Sequence, residues 1–246
     1  MTTWIAALRS ERIKLGRSQI MLLTIIDPVL CAGVGLLSTV DNGEGAWFGL
    51  LLVMTLLHAM FFLPMMAGIF SAFVCRYEHA GGGWKQMMSL PVSRSALYLS
   101  KLLVVTGALA LSQLLFFAAV LGVGLLKGFD LSQVPWNLFA VRMLGGFAAC
   151  LPLAALQLFV SAMWSSFAAP LVLNMIFTVP NILVANSADF APYYPWVQPM
   201  LVMMQAGGEY DFGGFTLPLL NLMITVGGSF AVFAAAGLAY FGRKPV

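Results

Sequence analysis

The residues that could do chemistry in this chain are few and scattered. Asp27, His58, Asn174 and Asn181 each sit inside a long apolar run. An ionisable or strongly polar side chain in such a run is a candidate functional residue by default. The plainer reading competes at each position. Asp27 is close enough to a run end to be hydrated or paired with a nearby Arg. His58 has no metal-ligand partner at i+3 or i+4 and reads as a hydrogen-bonded packing residue rather than a proton relay. Arg142 lies within two turns of a run start, where snorkelling to the interface accounts for it. Cys31, Cys75 and Cys150 stand alone, without C-x-x-C or Cys/His spacing, and read as small buried hydrophobes. No H-E-x-x-H, G-x-S-x-G or G-x-x-x-x-G-K-[ST] pattern occurs. The expectation is therefore no catalytic, metal or cofactor-binding residue, and no nucleotide site in this chain.

The elements that must carry these residues are membrane helices. Of 246 residues, 61% are hydrophobic and 9% charged. A soluble domain has about 25% charged residues, so lipid must serve as solvent here. Net charge of +3 is too small to imply nucleic acid. Six apolar spans are expected, at about 20–40, 46–74, 97–126, 136–163, 167–184 and 217–241. Asp27-Pro28 is a place for the first span to kink or restart, since Asp caps and Pro suits N1. Pro64 should bend the second. The fifth carries Pro170 and Pro180 besides its two asparagines, and needs neighbours to satisfy its backbone. Gly227-Gly228 should permit close packing of the last. Together these make one all-α transmembrane domain over 1–246.

Three polar segments interrupt it. Residues 2–19 form a modest amphipathic, basic helix suited to the headgroup layer, with Trp4, Leu8 and Leu15 on one stripe. Residues 76–96 form an elbow. There Gly81-Gly82-Gly83 breaks the helix, 84–90 is a short amphipathic helix, Pro91 stops it and Ser93 is an N-cap. Trp84, Met87, Met88 and Leu90 give the elbow an adaptable apolar knob. Glu78, Lys85 and Arg94 give it a polar rim, with Glu78 within reach of either base. Residues 186–216 hold acids but no Lys or Arg, and Tyr193, Tyr194 and Trp196 among several prolines, as a rigid aromatic segment at headgroup level. A short helix over 197–205 would lie on or dip into the outer leaflet.

Charge orients the bundle. With six spans, Arg9, Arg12, Lys14, Arg17, Arg76, Lys85, Arg94, Lys101, Arg243 and Lys244 share one side, and Lys127 and Arg142 the other. The positive-inside rule puts both termini and the elbow in the cytoplasm.

These residues carry a resemblance. Glu11, Lys14, Leu15, Arg17, Ser18 and then Pro28 are similar to the opening "E-x-x-K-x-x-x-S … P" of ABC-2 type permeases, and within that group of lantibiotic and bacteriocin immunity permeases. Glu78, Gly82 or Gly83, Lys85, Ser89-Leu90-Pro91-Val92-Ser93-Arg94 and Lys101 resemble the group's elbow pattern. The resemblance implies a connecting helix at 2–19 and a coupling helix in the elbow. That helix would dock through Glu78, Trp84, Lys85, Met87, Met88, Leu90 and Arg94 on a separate ATP-binding subunit. It implies two such subunits, which hold the ATP and Mg, and a second permease, identical or paralogous. The setting is the bacterial plasma membrane, and the cargo an amphipathic peptide, drug or lipid moved outward. Tyr193, Tyr194 and Trp196 would belong to an extracellular gate. A different class stays open: a membrane sensor or scaffold that binds peptide or lipid through the aromatic segment without pumping.

Overall fold

The structure is a computed structural model, and it describes residues 8–11, 20–40, 42–79, 82–89, 92–205 and 213–243. The interfacial helix expected over 2–19 therefore lies outside the described residues except for one helical turn at 8–11, as do Asp41, Leu90, Pro91, Glu209 and Asp211. The described residues are helical, with no strand among them. In chain order the helices are α1 (Ile20–Leu37), α2 (Ala46–Leu57), a π-helical turn (His58–Phe62), α3 (Leu63–His79), α4 (Gly83–Met88) and α5 (Arg94–Leu126). After these come α6 (Trp136–Met163), α7 (Ala168–Thr178), α8 (Asn181–Ala185), α9 (Gln198–Met204) and α10 (Leu219–Arg243).

Four rods are long and apolar enough to cross a membrane: Ala46–His79, Arg94–Leu126, Trp136–Met163 and Leu219–Arg243. The first joins α2, the π turn and α3 without a break. α1 and α7 are shorter apolar helices. The fifth expected span is thus split. Pro180 has no amide to continue α7, and the chain restarts as the five-residue α8. The first span does not restart at Asp27-Pro28, because α1 runs straight through Pro28.

α6 is the hub, packing on α10, α3, α9 and α5, while α1 lies along α5. Lipid tails are as apolar as leucine, so close backbone approach and interhelical hydrogen bonds hold such a bundle. The glycines that allow it are not those the sequence singles out. A Cβ on Gly227 or Gly228 would meet nothing, whereas one on Gly124 would strike the Trp47 ring and one on Gly146 would strike Met203. Gly145 and Gly146 seat α9 against α6. α9 is buried along its whole length, so of the two placements expected for it, lying on the surface or dipping inward, it does not take the first. A short helix at that depth is tolerated because protein, not lipid, surrounds it.

The elbow begins at Gly82, in the left-handed region at φ 75°, and α4 follows for six residues. Ser93 caps α5, its Oγ accepting from the amide of Ala96 at 3.3 Å. Arg94 donates to the carbonyl of Gly242 at 3.1 Å, joining the start of α5 to the end of α10.

Candidate functional site

Two buried polar networks stand out, one in the middle of the bundle and one beneath the elbow. In the first, Asp27 (α1), His58 (π turn) and Gln113 (α5) are in line. His58 Nδ1 lies 2.7 Å from Asp27 Oδ2, and its Nε2 lies 2.9 Å from Gln113 Oε1. Ser112 donates to the same carboxylate at 3.2 Å and Cys31 at 3.3 Å. Asp27 and His58 are fully buried, and the His58 ring stacks on Phe116 at 3.8 Å.

The acceptors around this line fix its protons. Gln113 Nε2 faces the Met143 carbonyl at 3.4 Å, so its Oε1 must face the histidine. His58 Nε2 therefore carries a hydrogen. One more proton is shared between Nδ1 and the carboxylate. Whether it sits on nitrogen or oxygen, the pair is neutral overall, which is what an apolar interior requires. Hydration or a neighbouring Arg does not account for Asp27; His58, 31 residues away on the next rod, does. Asp27, Cys31 and His58 also bring ligand atoms within 4.8 Å of one another. Their hydrogen bonds already occupy those atoms.

The π turn that carries His58 is built by Pro64 and stapled by the two asparagines. Pro64 has no N–H for the carbonyl of Met60, four residues back. Asn181 Nδ2 donates to that carbonyl at 2.8 Å and to the carbonyl of Trp196 at 3.0 Å. Asn174 Nδ2 donates to the carbonyl of Pro64 at 2.9 Å, and its Oδ1 accepts from Trp196 Nε1 at 2.8 Å. Gly68 leaves room for the Asn174 side chain, which a Cβ there would strike. Both asparagines are thus backbone staples. The aromatic segment divides accordingly. Trp196 is buried in this staple, Tyr194 is half-buried and donates to the carbonyl of Phe177 at 2.7 Å, and Tyr193 is exposed.

Beneath the elbow, Lys101 of α5 is fully buried. Its ammonium lies 2.9 Å from Glu78 Oε1, 3.2 Å from both oxygens of Glu11 and 3.0 Å from the Val74 carbonyl. Three N–H groups meet three groups of acceptors. The pairing of Glu78 with Lys85 or Arg94 is therefore corrected: Lys101 reaches it, because Glu78 is buried at the last turn of α3 while Lys85 is exposed on α4.

Trp84 also turns inward. Its Nε1 donates to His79 Nδ1 at 3.1 Å, its ring meets Phe241 edge-on at 5.4 Å, and Lys101 Nζ lies 5.7 Å from its centroid. His79 Nε2 faces the Ser161 carbonyl at 2.8 Å. An indole only donates and a carbonyl only accepts, so His79 is neutral with its hydrogen on Nε2. α4 is thereby fastened to α3, α5, α6 and α10. Met87 and Met88 are half-buried, and Lys85 and Gln86 are exposed.

Arg142 does not snorkel. It is fully buried on α6, with its guanidinium 5.1 Å from the Phe48 ring centre. At the opposite end of α5 from the elbow, the exposed Asp130 carboxyl is held below its ordinary value by hydrogen bonds from the Ser132 amide and hydroxyl.

A family model described as ABC-2 family transporter protein matches residues 7–181. The chain belongs to the ABC-2 transporter family. It is a permease subunit of an ABC transporter, a multi-pass membrane protein whose family implies an ATP-binding partner. No curated protein matches it. The match begins before Glu11 and ends at Asn181, so it takes in both networks and the elbow of this ABC-2 permease. Sequence reading picked out Asp27, His58, Glu78, Asn174 and Asn181. It missed Gln113 and Ser112, two ordinary polar residues in a long span. Their adjacency on α5, at the depth of Asp27 and His58, was the available signal.

Proposed function

We propose that this permease serves an ABC exporter and that α4 is its coupling helix, taking the stroke of a separate ATP-binding subunit. The observation that carries this is the bracing of α4. A short helix hanging from a loop would absorb a push. Here Trp84 is held by His79 and Phe241, and directly below it Lys101 joins Glu11 and Glu78, so a displacement of α4 passes to α3, α5 and α10 together. Trp84 acts from inside the fold. The contact with the partner belongs to Met87, Met88 and Lys85, with Leu90 and Arg94 at its border.

In this reading two ATP-binding subunits, which hold the ATP and Mg, serve two permeases, identical or paralogous. Both termini and the elbow are cytoplasmic, in a bacterial plasma membrane. The clustering of Arg76, Lys85, Arg94 and Arg243 toward the elbow end supports that orientation. The cargo is an amphipathic peptide, as in lantibiotic immunity, a drug or a lipid, passed outward between the permeases toward Tyr193, Tyr194 and Trp196.

The test is Met87→Ala with Met88→Ala in the complex that copurifies with the tagged chain. Truncated interface anchors commonly cost about 2 kcal/mol or more, roughly a thirtyfold loss of affinity. ATP hydrolysis should persist while export from proteoliposomes collapses. Wild-type export by this variant refutes α4 as the point of entry. If no ATP-binding subunit copurifies with the wild-type chain, the sensor or scaffold reading takes its place.

A further inference from the structure

At the elbow end of the bundle the last turn of α3, the end of α6 and the start of α7 enclose a cleft. It is a shallow cleft, partly open to the surface. Arg76, Ser161, Trp164, Ser165, Ser166 and Phe167 line it. Neither network above uses this space.

Its chemistry is one-sided. Arg76 is exposed, always charged, and held with its guanidinium 5.3 Å from the Phe167 ring centre. Ser161 is only 2% exposed, and its Oγ has no hydrogen-bond partner among the described residues. A buried hydroxyl without a partner is costly, and a ligand oxygen in the cleft would supply one. Ser165 is exposed beside it. Ser166, just before the Phe167 N-cap of α7, accepts from the Ala169 amide, and the positive end of this eleven-residue helix opens on the same space. His79 forms one wall and is neutral, as its two hydrogen bonds require. No carboxylate lines the cleft. A guanidinium, hydroxyl donors and a helix N-terminus without an acid select an anion with several oxygens. Phe167, Pro170 and Ala72 make the remaining wall apolar, and Trp164 is 42% exposed at the rim. An exposed tryptophan where long apolar helices end marks the headgroup level of a bilayer.

We propose that this cleft binds the phosphate of an anionic phospholipid, with Arg76 on the phosphate oxygens and Ser161 and Ser165 donating to them. The acyl chains then run down the apolar wall. Ser161 is also the residue whose carbonyl holds His79, and His79 holds Trp84. A bound headgroup therefore fixes the same junction that braces the elbow.

The experiment uses the whole chain in nanodiscs of phosphatidylcholine with a minor share of phosphatidylglycerol. Native mass spectrometry then counts the phosphatidylglycerol retained after release. Wild-type chain should keep a tightly held molecule. Arg76→Gln and Ser161→Ala should each lower its retention about tenfold or more, as loss of a hydrogen bond to a charged group does. Arg76 is exposed and Ser161→Ala is nearly isosteric, so both variants should fold, and an unchanged melting temperature checks it. Arg9→Gln, another exposed base at 8–11, should retain the lipid like wild type. Equal loss in Arg76→Gln and Arg9→Gln would mean diffuse charge attraction and would overturn the site. Wild-type retention in Arg76→Gln would overturn it as well. Displacement of the lipid by excess inorganic phosphate would assign the cleft to the free anion and overturn the lipid assignment.

Discussion

Replacing Lys101 with methionine is the sharpest probe of the elbow. The side chain is fully buried, and its ammonium is the meeting point of Glu78 at 2.9 Å, Glu11 at 3.2 Å and the Val74 carbonyl at 3.0 Å. Methionine has a similar volume and flexibility, so the cavity contribution is small. What remains is two carboxylates, each about 3% exposed, facing a space with its cation gone. Breaking a buried pair by removing one partner costs about 3–5 kcal/mol, or two to four orders of magnitude in the folded population. Glu78→Gln should cost less, about 1–2 kcal/mol, because the amide oxygen still accepts and Lys101 keeps Glu11. The triple variant Glu11→Gln, Glu78→Gln, Lys101→Met removes these three charges together and should recover most of the loss, since the coupling lies within the cluster. Thermal unfolding of each variant in nanodiscs, followed by size exclusion, gives the order. If Lys101→Met melts with the wild type, or if the triple variant is worse than the single one, the cluster is not what holds α3, α5 and the N-terminal turn together.

The neutral pair in the bundle predicts that Asp27→Asn stays within about 1 kcal/mol of wild type. Asparagine reproduces a protonated acid, whereas Asp27→Leu strands His58, Ser112 and Cys31 and should cost about 2–4 kcal/mol; a melting comparison of the two decides it. Asn181→Leu should destabilise by about 1–3 kcal/mol through the Met60 carbonyl, and Pro64→Ala, by returning an amide to residue 64, should offset part of that loss in the double variant. Gly146→Val should cost about 1–3 kcal/mol by pushing Met203 and α9 off α6, while Gly228→Val, on an open face, should change the melting temperature little.

The membrane character, the long helices and the elbow could be read directly from the chain. Each depends on local signals: sustained apolar runs, three consecutive glycines, a serine before a new run. Lipid makes these signals strong, since a spanning backbone must satisfy itself within its own helix. Partner choice had no such signal. Sequence put Lys85 and Arg94 within reach of Glu78, and only the depth of the last turn of α3 against α5 brought Lys101 to it instead. Trp84 reads as an outward anchor beside Met87 and Met88, but one turn of α4 points it at His79 and Phe241. The glycine pair at 227–228 looked like a packing motif, yet 124 and 146 do the packing, because only they face Trp47 and Met203.

By itself, then, the sequence determined the solvent, the long apolar helices and the presence of an elbow, all consequences of composition and period. The tertiary structure alone decided how the buried polar atoms are matched. Asp27, His58 and Gln113 are separated by 31 and 55 residues in the chain. Each has several possible partners along an apolar run. Only the crossing of α1, the π turn and α5 at one depth removes the alternatives, because a polar group left unmatched there has no water to turn to.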